Sequence, residues 1–308
     1  MNNREAIVAR LSGIHAIPVT PFRDDLSIDE AAIGVNIERL IAGGMTAVYP
    51  CGNTGEFYSL TVEEAEQTVR LTVQQVQGRA LVMAGVGYDT ATAAQLAAAA
   101  AWAGADGLMV HQPVHPFQSE HGLLDYYTAI AAATDLPLIL YVRSEQVRTA
   151  TLLEAAEIPQ VVGVKYAVNH LPSFAEAVQA IGERLAWICG TAEMWAPFYY
   201  AAGAVGFTSG MVNVDTRLSL ALLAAMNRSD VAETMRIWQL LRPFELLREQ
   251  RGGAANVSVV KEAMAQLGYD SGQVRPPIAA LTVEDKQQVT GILRAWELLE
   301  DDEEAKRT

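Results

Sequence analysis

The chain has 308 residues, 51% hydrophobic and 19% charged, with a formal net charge of −14. That composition suits a globular protein with a large core, and the acidic balance argues against nucleic acid and anionic membranes as partners. No apolar run reaches the roughly 18 residues of a membrane span, "MNNREAIVARLSG" has no signal-peptide core, and Cys51 and Cys189 read as free thiols of a cytoplasmic protein.

From the N-terminus, short runs of aliphatic and β-branched residues bounded by Gly, Pro or Asp predict strands buried on both faces. They are "GIHAIPVT" (13–20), "TAVYPCG" (46–52), "ALVMAGVG" (80–87), "DGLMVHQP" (106–113), "LPLILYV" (136–142), "VVGVKY" (161–166), "LAWICG" (185–190) and "AVGFTSG" (204–210). Between them lie stretches of helical spacing such as 61–77 and 90–104. The segments "AGGMTAV", "AGADGLMV" and "AGAVGFTS" each place a glycine where a helix hands over to a strand, as C-capping requires. Residues 1–225 therefore read as eight β-then-α units, an α/β fold of the (β/α)8 TIM-barrel type. An open doubly wound sheet is the alternative, but no GxGxxG follows the first strand. Residues 226–308 read as a C-terminal helical extension ending in the acidic "LEDDEEAKRT", a solvated terminus.

In a parallel barrel the carboxyl ends of the strands carry the reaction site. Here they supply Thr20, "GNTGEF" (52–57), "GVGYDT" (85–90), His111 to His115, Tyr141 to Arg143, Lys165, "GTAE" (190–193) and "TSG" (208–210). Lys165, within "QVVGVKYAV", either snorkels to solvent or an acid, or has its pKa lowered by burial. The second case leaves a free amine that forms an imine with a carbonyl substrate. Tyr141, ending the neighbouring strand, is either a core tyrosine or a phenol that moves protons beside that amine. Gly52 and Gly55 bracket Asn53 and Thr54 in a turn whose N–H groups suit a carboxylate, or which simply caps the next helix. Arg143 reads as a carboxylate clamp, with Arg148 as second choice. Thr208, Ser209 and His115 complete the candidate substrate contacts. His111, His115 and His121 lack metal-ligand spacing and are interrupted by Pro113 and Pro116, so no metal is expected.

"GNTGEFYSLT", Tyr141 and the "GVK" of Lys165 form an ordered set. It resembles the dihydrodipicolinate synthase / N-acetylneuraminate lyase superfamily of Schiff-base lyases, over nearly the whole chain. The resemblance implies a (β/α)8 barrel with a C-terminal helical extension, usually a homotetramer, working without metal or organic cofactor. Lys165 would form the imine with a 2-oxo acid, Tyr141 would relay protons, and Asn53–Thr54 would bind the carboxylate. The dihydrodipicolinate synthases have Thr-Thr where this chain has Asn53-Thr54, and a tyrosine pair where it has Val114 and His115. Their Tyr-Asn-Val-Pro is "YVRSEQVR" here. The chain is more similar to the 5-dehydro-4-deoxyglucarate dehydratases, through the loop, the Tyr-x-Arg ending strand five, and "VSVVKEAMAQLGYDSGQVRPPI". Val142 replaces a frequent Asn of those enzymes, and "VKYAVNH" their usual Lys-Asp-Gly. The implied function is dehydration, with or without decarboxylation, of a 2-oxo-3-deoxy sugar acid. The alternatives are dihydrodipicolinate synthase-like or pyruvate-dependent aldol chemistry, and a 2-oxo acid binding protein that has lost turnover.

Overall fold

Eight parallel strands close on themselves in chain order in a computed structural model that describes residues 3–300, with side chains from residue 7. The acidic tail from residue 301 lies outside the described residues. The strands are β1 (Gly13–Ala16), β2 (Ala47–Val48), β3 (Leu81–Val86), β4 (Gly107–Val110), β5 (Leu138–Val142), β6 (Val161–Tyr166), β7 (Ala186–Cys189) and β8 (Gly206–Ser209). Helix α1 (Asn3–Arg10) precedes β1. One helix then follows each strand: α2 (Glu30–Ala42), α3 (Val62–Val76), α4 (Thr90–Ala103), α5 (Glu120–Ala132), α6 (Thr149–Ala155), α7 (Leu171–Ile181), α8 (Ala192–Ala201) and α9 (Thr216–Asn227). The fold is a TIM barrel, and all eight strands lie within the apolar runs that predict them.

Local chemistry sets the helix ends. Thr61 and Glu64 form a reciprocal capping box at the start of α3, and Asp89 accepts from Ala91 and Thr92 N–H at the start of α4. Gly104 ends α4 at φ 88°, a left-handed geometry that a side chain would resist. No helix among the described residues is long and apolar enough to cross a membrane.

Two apolar layers result from the strand alternation. One lies between sheet and helices; the other fills the barrel, with Leu11, Ile17, Tyr49, Met83, Met109, Ile139 and Ile188 among its members. On β6 the alternation is broken. Leu138 pairs with Val161, but Ile139 pairs with Gly163, so Val162 is an extra residue in the strand. Val161, Val164 and Tyr166 face the helices while Val162 joins the barrel interior. This bulge shifts the parity of everything after it and turns Lys165 inward. Without it, Lys165 would face the helix layer.

After α9 the chain continues as α10 (Val231–Glu249), α11 (Asn256–Gln266) and α12 (Val283–Ala295), with α10 packed on α8 and α9. These helices form the C-terminal extension. α9 itself completes the eighth barrel unit and spans residue 225.

Candidate active site

A cavity of about 220 Å³ opens over the barrel and is lined by Lys165, Tyr141, Asn53, Thr54, Arg143 and Thr208, among others. Tyr141 and Lys165 are register partners on β5 and β6, both facing inward. The Lys165 ammonium nitrogen stands 3.8 Å from the Tyr141 ring centroid and 3.5 Å from Met109 Sδ. Lys165 is 3% exposed, and no carboxylate among the described residues reaches ion-pair distance of it. Burial, helped by the positive charge of Arg143, brings its pKa down from 10.5 to about 7. A large fraction of this lysine is therefore a free amine at neutral pH. Burial moves the Tyr141 phenol the other way, up to about 12.

Asn53 donates from Nδ2 to the Tyr141 hydroxyl oxygen at 3.1 Å, which fixes the phenol beside the amine. The turn that carries Asn53 is tightly built. Gly55 and Phe57 N–H return to the Gly52 carbonyl, Glu56 N–H to Asn53, and Thr20 Oγ1 donates to the Gly55 carbonyl at 2.7 Å. The N–H groups of Asn53 and Thr54 are left without a protein acceptor among the described residues. Gly52 does not line the cavity. It is needed for packing, since a Cβ there would stand 2.5 Å from Ile17 Cγ2.

The far side of this turn is anchored by the C-terminal extension. Glu56, held at φ 56°, forms a fully buried ion pair with Lys261 of α11 at 2.6 Å and accepts from Arg275 N–H at 3.0 Å. Arg275 in turn pairs with Glu64 and donates to the carbonyls of Leu26 and Ser59. The two stretches that carry the family resemblance, "GNTGEF" and "VSVVK…VRPP", are thus parts of one assembly.

The other candidate residues divide by strand parity. Thr208 faces the cavity and donates to the Cys189 carbonyl at 3.4 Å. Ser209, the next residue, faces outward and accepts from Val212 N–H at 3.1 Å, so it is not brought to the cavity with Thr208. Arg143 sits exposed on the cavity rim, its N–H held by Gln112 Oε1 at 2.9 Å. Arg148 instead pairs with Glu120 away from the cavity. His115 also lies outside it, on an exposed loop, where Nδ1 accepts from Phe117 N–H. The structure does not bring His115 to the cavity with the other candidate residues.

His111 is buried and neutral, its pKa brought down to about 3 by burial, with Nε2 donating to the Cys51 carbonyl and Nδ1 accepting from Tyr58. Among the described residues no three His, Cys, Asp or Glu side chains come together in a way that could hold a metal. Gly210, the last residue of "TSG", lines the cavity as its strand-end position implies, whereas sequence reasoning missed Glu245, Arg248 and Asn256 of the extension, which line it too.

The model of the dihydrodipicolinate synthetase family matches residues 10–296. The chain belongs to that family. Family members similar to it include a probable 5-dehydro-4-deoxyglucarate dehydratase of Bradyrhizobium diazoefficiens, 34% identical over 92% of this chain and 91% of that protein. Another of the same description, from Saccharopolyspora erythraea, is 37% identical over 88% and 89%. Among solved structures, dihydrodipicolinate synthase from Bacillus clausii is 44% identical with a TM-score of 0.92, covering 94% of this chain and 99% of that one. The Oceanobacillus iheyensis dihydrodipicolinate synthase is 40% identical with a TM-score of 0.94, over 97% and 100%. As a dihydrodipicolinate synthetase family member the chain is a lyase. The names of its relatives divide between dehydratase and synthase.

Proposed function

We propose that the protein is a Schiff-base lyase, free of metal and organic cofactor, that dehydrates a 2-oxo-3-deoxy sugar acid such as 5-dehydro-4-deoxyglucarate. The observation that carries this reading is Lys165: buried, without a carboxylate partner, half-deprotonated near neutrality and set against Tyr141. Its amine attacks the ketone carbon beside the substrate carboxylate. Tyr141, kept protonated by its raised pKa, donates to the carbinolamine oxygen, which leaves as water and gives the iminium. The resulting phenolate is a strong base, steadied by the Asn53 amide, and takes a proton from the CH2 next to the iminium. The enamine then expels the β-hydroxyl as water, with the proton returned by Tyr141. In a diacid substrate, loss of the distal carboxylate as CO2 pushes electrons through the new double bond into the iminium; the enamine so formed is protonated on carbon, and hydrolysis of the restored iminium frees Lys165.

Asn53 supports dehydration over synthase chemistry. A side-chain amide donates to Tyr141 but cannot pass a proton along as a hydroxyl does. Tyr141 therefore exchanges protons with the substrate directly. The test is incubation with 5-dehydro-4-deoxyglucarate while following CO2, the dehydrated aldehyde acid and pyruvate. CO2 release without pyruvate is expected. Pyruvate as the product would overturn the dehydratase reading. The similarity to solved dihydrodipicolinate synthases favours a second reading, in which pyruvate bound to Lys165 condenses with an aldehyde. Consumption of pyruvate only when an aldehyde is added would identify it.

A further inference from the structure

The C-terminal extension does more than brace the barrel. Arg248 of α10 is 6% exposed yet lines the cavity above Lys165. Its Nη1 donates to Glu245 Oε1 at 2.6 Å, and Nε and Nη2 both donate to Asn256 Oδ1, at 3.1 and 2.8 Å. A guanidinium has five N–H groups. Three are committed here, and the remaining one on each terminal nitrogen has no acceptor among the described residues. An unmet donor on a buried charge is costly unless a ligand or solvent completes it.

Those free donors are aimed. Gly210 closes β8, and a Cβ there would stand 2.8 Å from Arg248 Nη2 and 2.8 Å from Thr54 Oγ1. The guanidinium and the Thr54 hydroxyl therefore converge over the same glycine, beside the turn whose Asn53 and Thr54 N–H groups are unspent. In the closed strand order β8 and β2 flank β1, with β5 opposite. Arg143, which follows β5, thus faces this cluster from across the barrel mouth.

We propose that Arg248, with Thr54, binds the carboxylate next to the ketone, while Arg143 binds a carboxylate at the far end of the substrate. The two arginines make the site selective for 2-oxo dicarboxylates. This rests on the reading of Lys165 as the imine-forming group. Glu245 and Asn256 hold the guanidinium in place before substrate arrives, so little side-chain freedom is lost on binding. Arg248 is a specificity residue; it does not touch the reacting carbon.

Borohydride trapping separates this role from a structural one. Pyruvate and acetone share a ketone of the same size, and only pyruvate carries the carboxylate. In the double variant E245Q/R248Q, which removes both buried charges together, half-maximal trapping should require at least about tenfold more pyruvate, as loss of a charge-assisted hydrogen bond entails. Acetone trapping should stay within about twofold of the unaltered protein by the same measure. A second variant, Gly210→Ala, leaves the Glu245–Arg248 pair intact. Gly210 has φ −90°, so the backbone accepts alanine, but its methyl displaces the Arg248 tip and Thr54. It should shift pyruvate in the same direction. Unchanged pyruvate trapping, or equal losses for pyruvate and acetone, would overturn the proposal. Absence of any adduct in the unaltered protein would instead reject the imine reading on which it stands.

Discussion

Lys165→Met removes the buried amine and keeps a side chain of similar length. In the folded chain the lysine titrates near 7 instead of 10.5. At about 1.4 kcal/mol per tenfold change in proton affinity, that difference costs folding roughly 5 kcal/mol wherever the folded chain is itself protonated. The sign follows from proton counting. Below pH 7 both states hold the proton, and the whole penalty is present. Between pH 7 and 10.5 the unfolded chain binds more protons than the folded one, so stability rises with pH and the penalty fades. The variant should therefore be more stable than the parent by roughly 5 kcal/mol at pH 6 and by about 2 kcal/mol at pH 9. Urea unfolding followed by tryptophan fluorescence at those two pH values measures both. A difference that does not change with pH, or a variant less stable at pH 6, would show that burial is not what depresses this amine.

Other outcomes follow from the same geometry. The rate of imine trapping with pyruvate should climb with pH through a midpoint near 7 and level off above it, which stopped borohydride quenches will report. Tyr141→Phe should slow turnover by about 10² to 10⁴ and slow formation of the Lys165 adduct as well, since the carbinolamine loses its proton donor while the amine remains. Lys261→Met should destabilise the fold by about 3–5 kcal/mol, because Glu56 would remain buried without its partner. Adding Glu56→Gln to that variant should restore much of the loss, and denaturant midpoints distinguish the two.

The barrel was legible because strands buried on both faces must be apolar throughout, so each announces itself as a short run between turn residues. Two lysines follow apolar residues, Lys165 in the predicted strand "VVGVKY" and Lys261 in "VSVVKE" of the predicted helical extension, and neither context shows what its amine meets. What separates them is tertiary: Lys261 meets Glu56 in a buried ion pair, whereas Lys165 meets an aromatic ring and a thioether. The inward turn of Lys165 was also hidden, since it depends on the bulge at Val162; Gly163 within a strand was the one local hint. Parity along "GFTS" separates Thr208 from Ser209 once Phe207 is assigned to the helix layer, a clue available from alternation. Glu245 and Arg248 look in sequence like an exposed i, i+3 pair on a polar helix. Only the packing of α10 over the barrel mouth reveals that they line the cavity.

The central claim is that Lys165 is the nucleophile, and borohydride trapping tests it most directly. The protein is mixed with pyruvate, reduced, digested and mapped by mass. One N-(1-carboxyethyl) adduct per chain on the peptide containing Lys165, absent from Lys165→Met, is the predicted result. An adduct on another lysine, or none on folded protein, would contradict it.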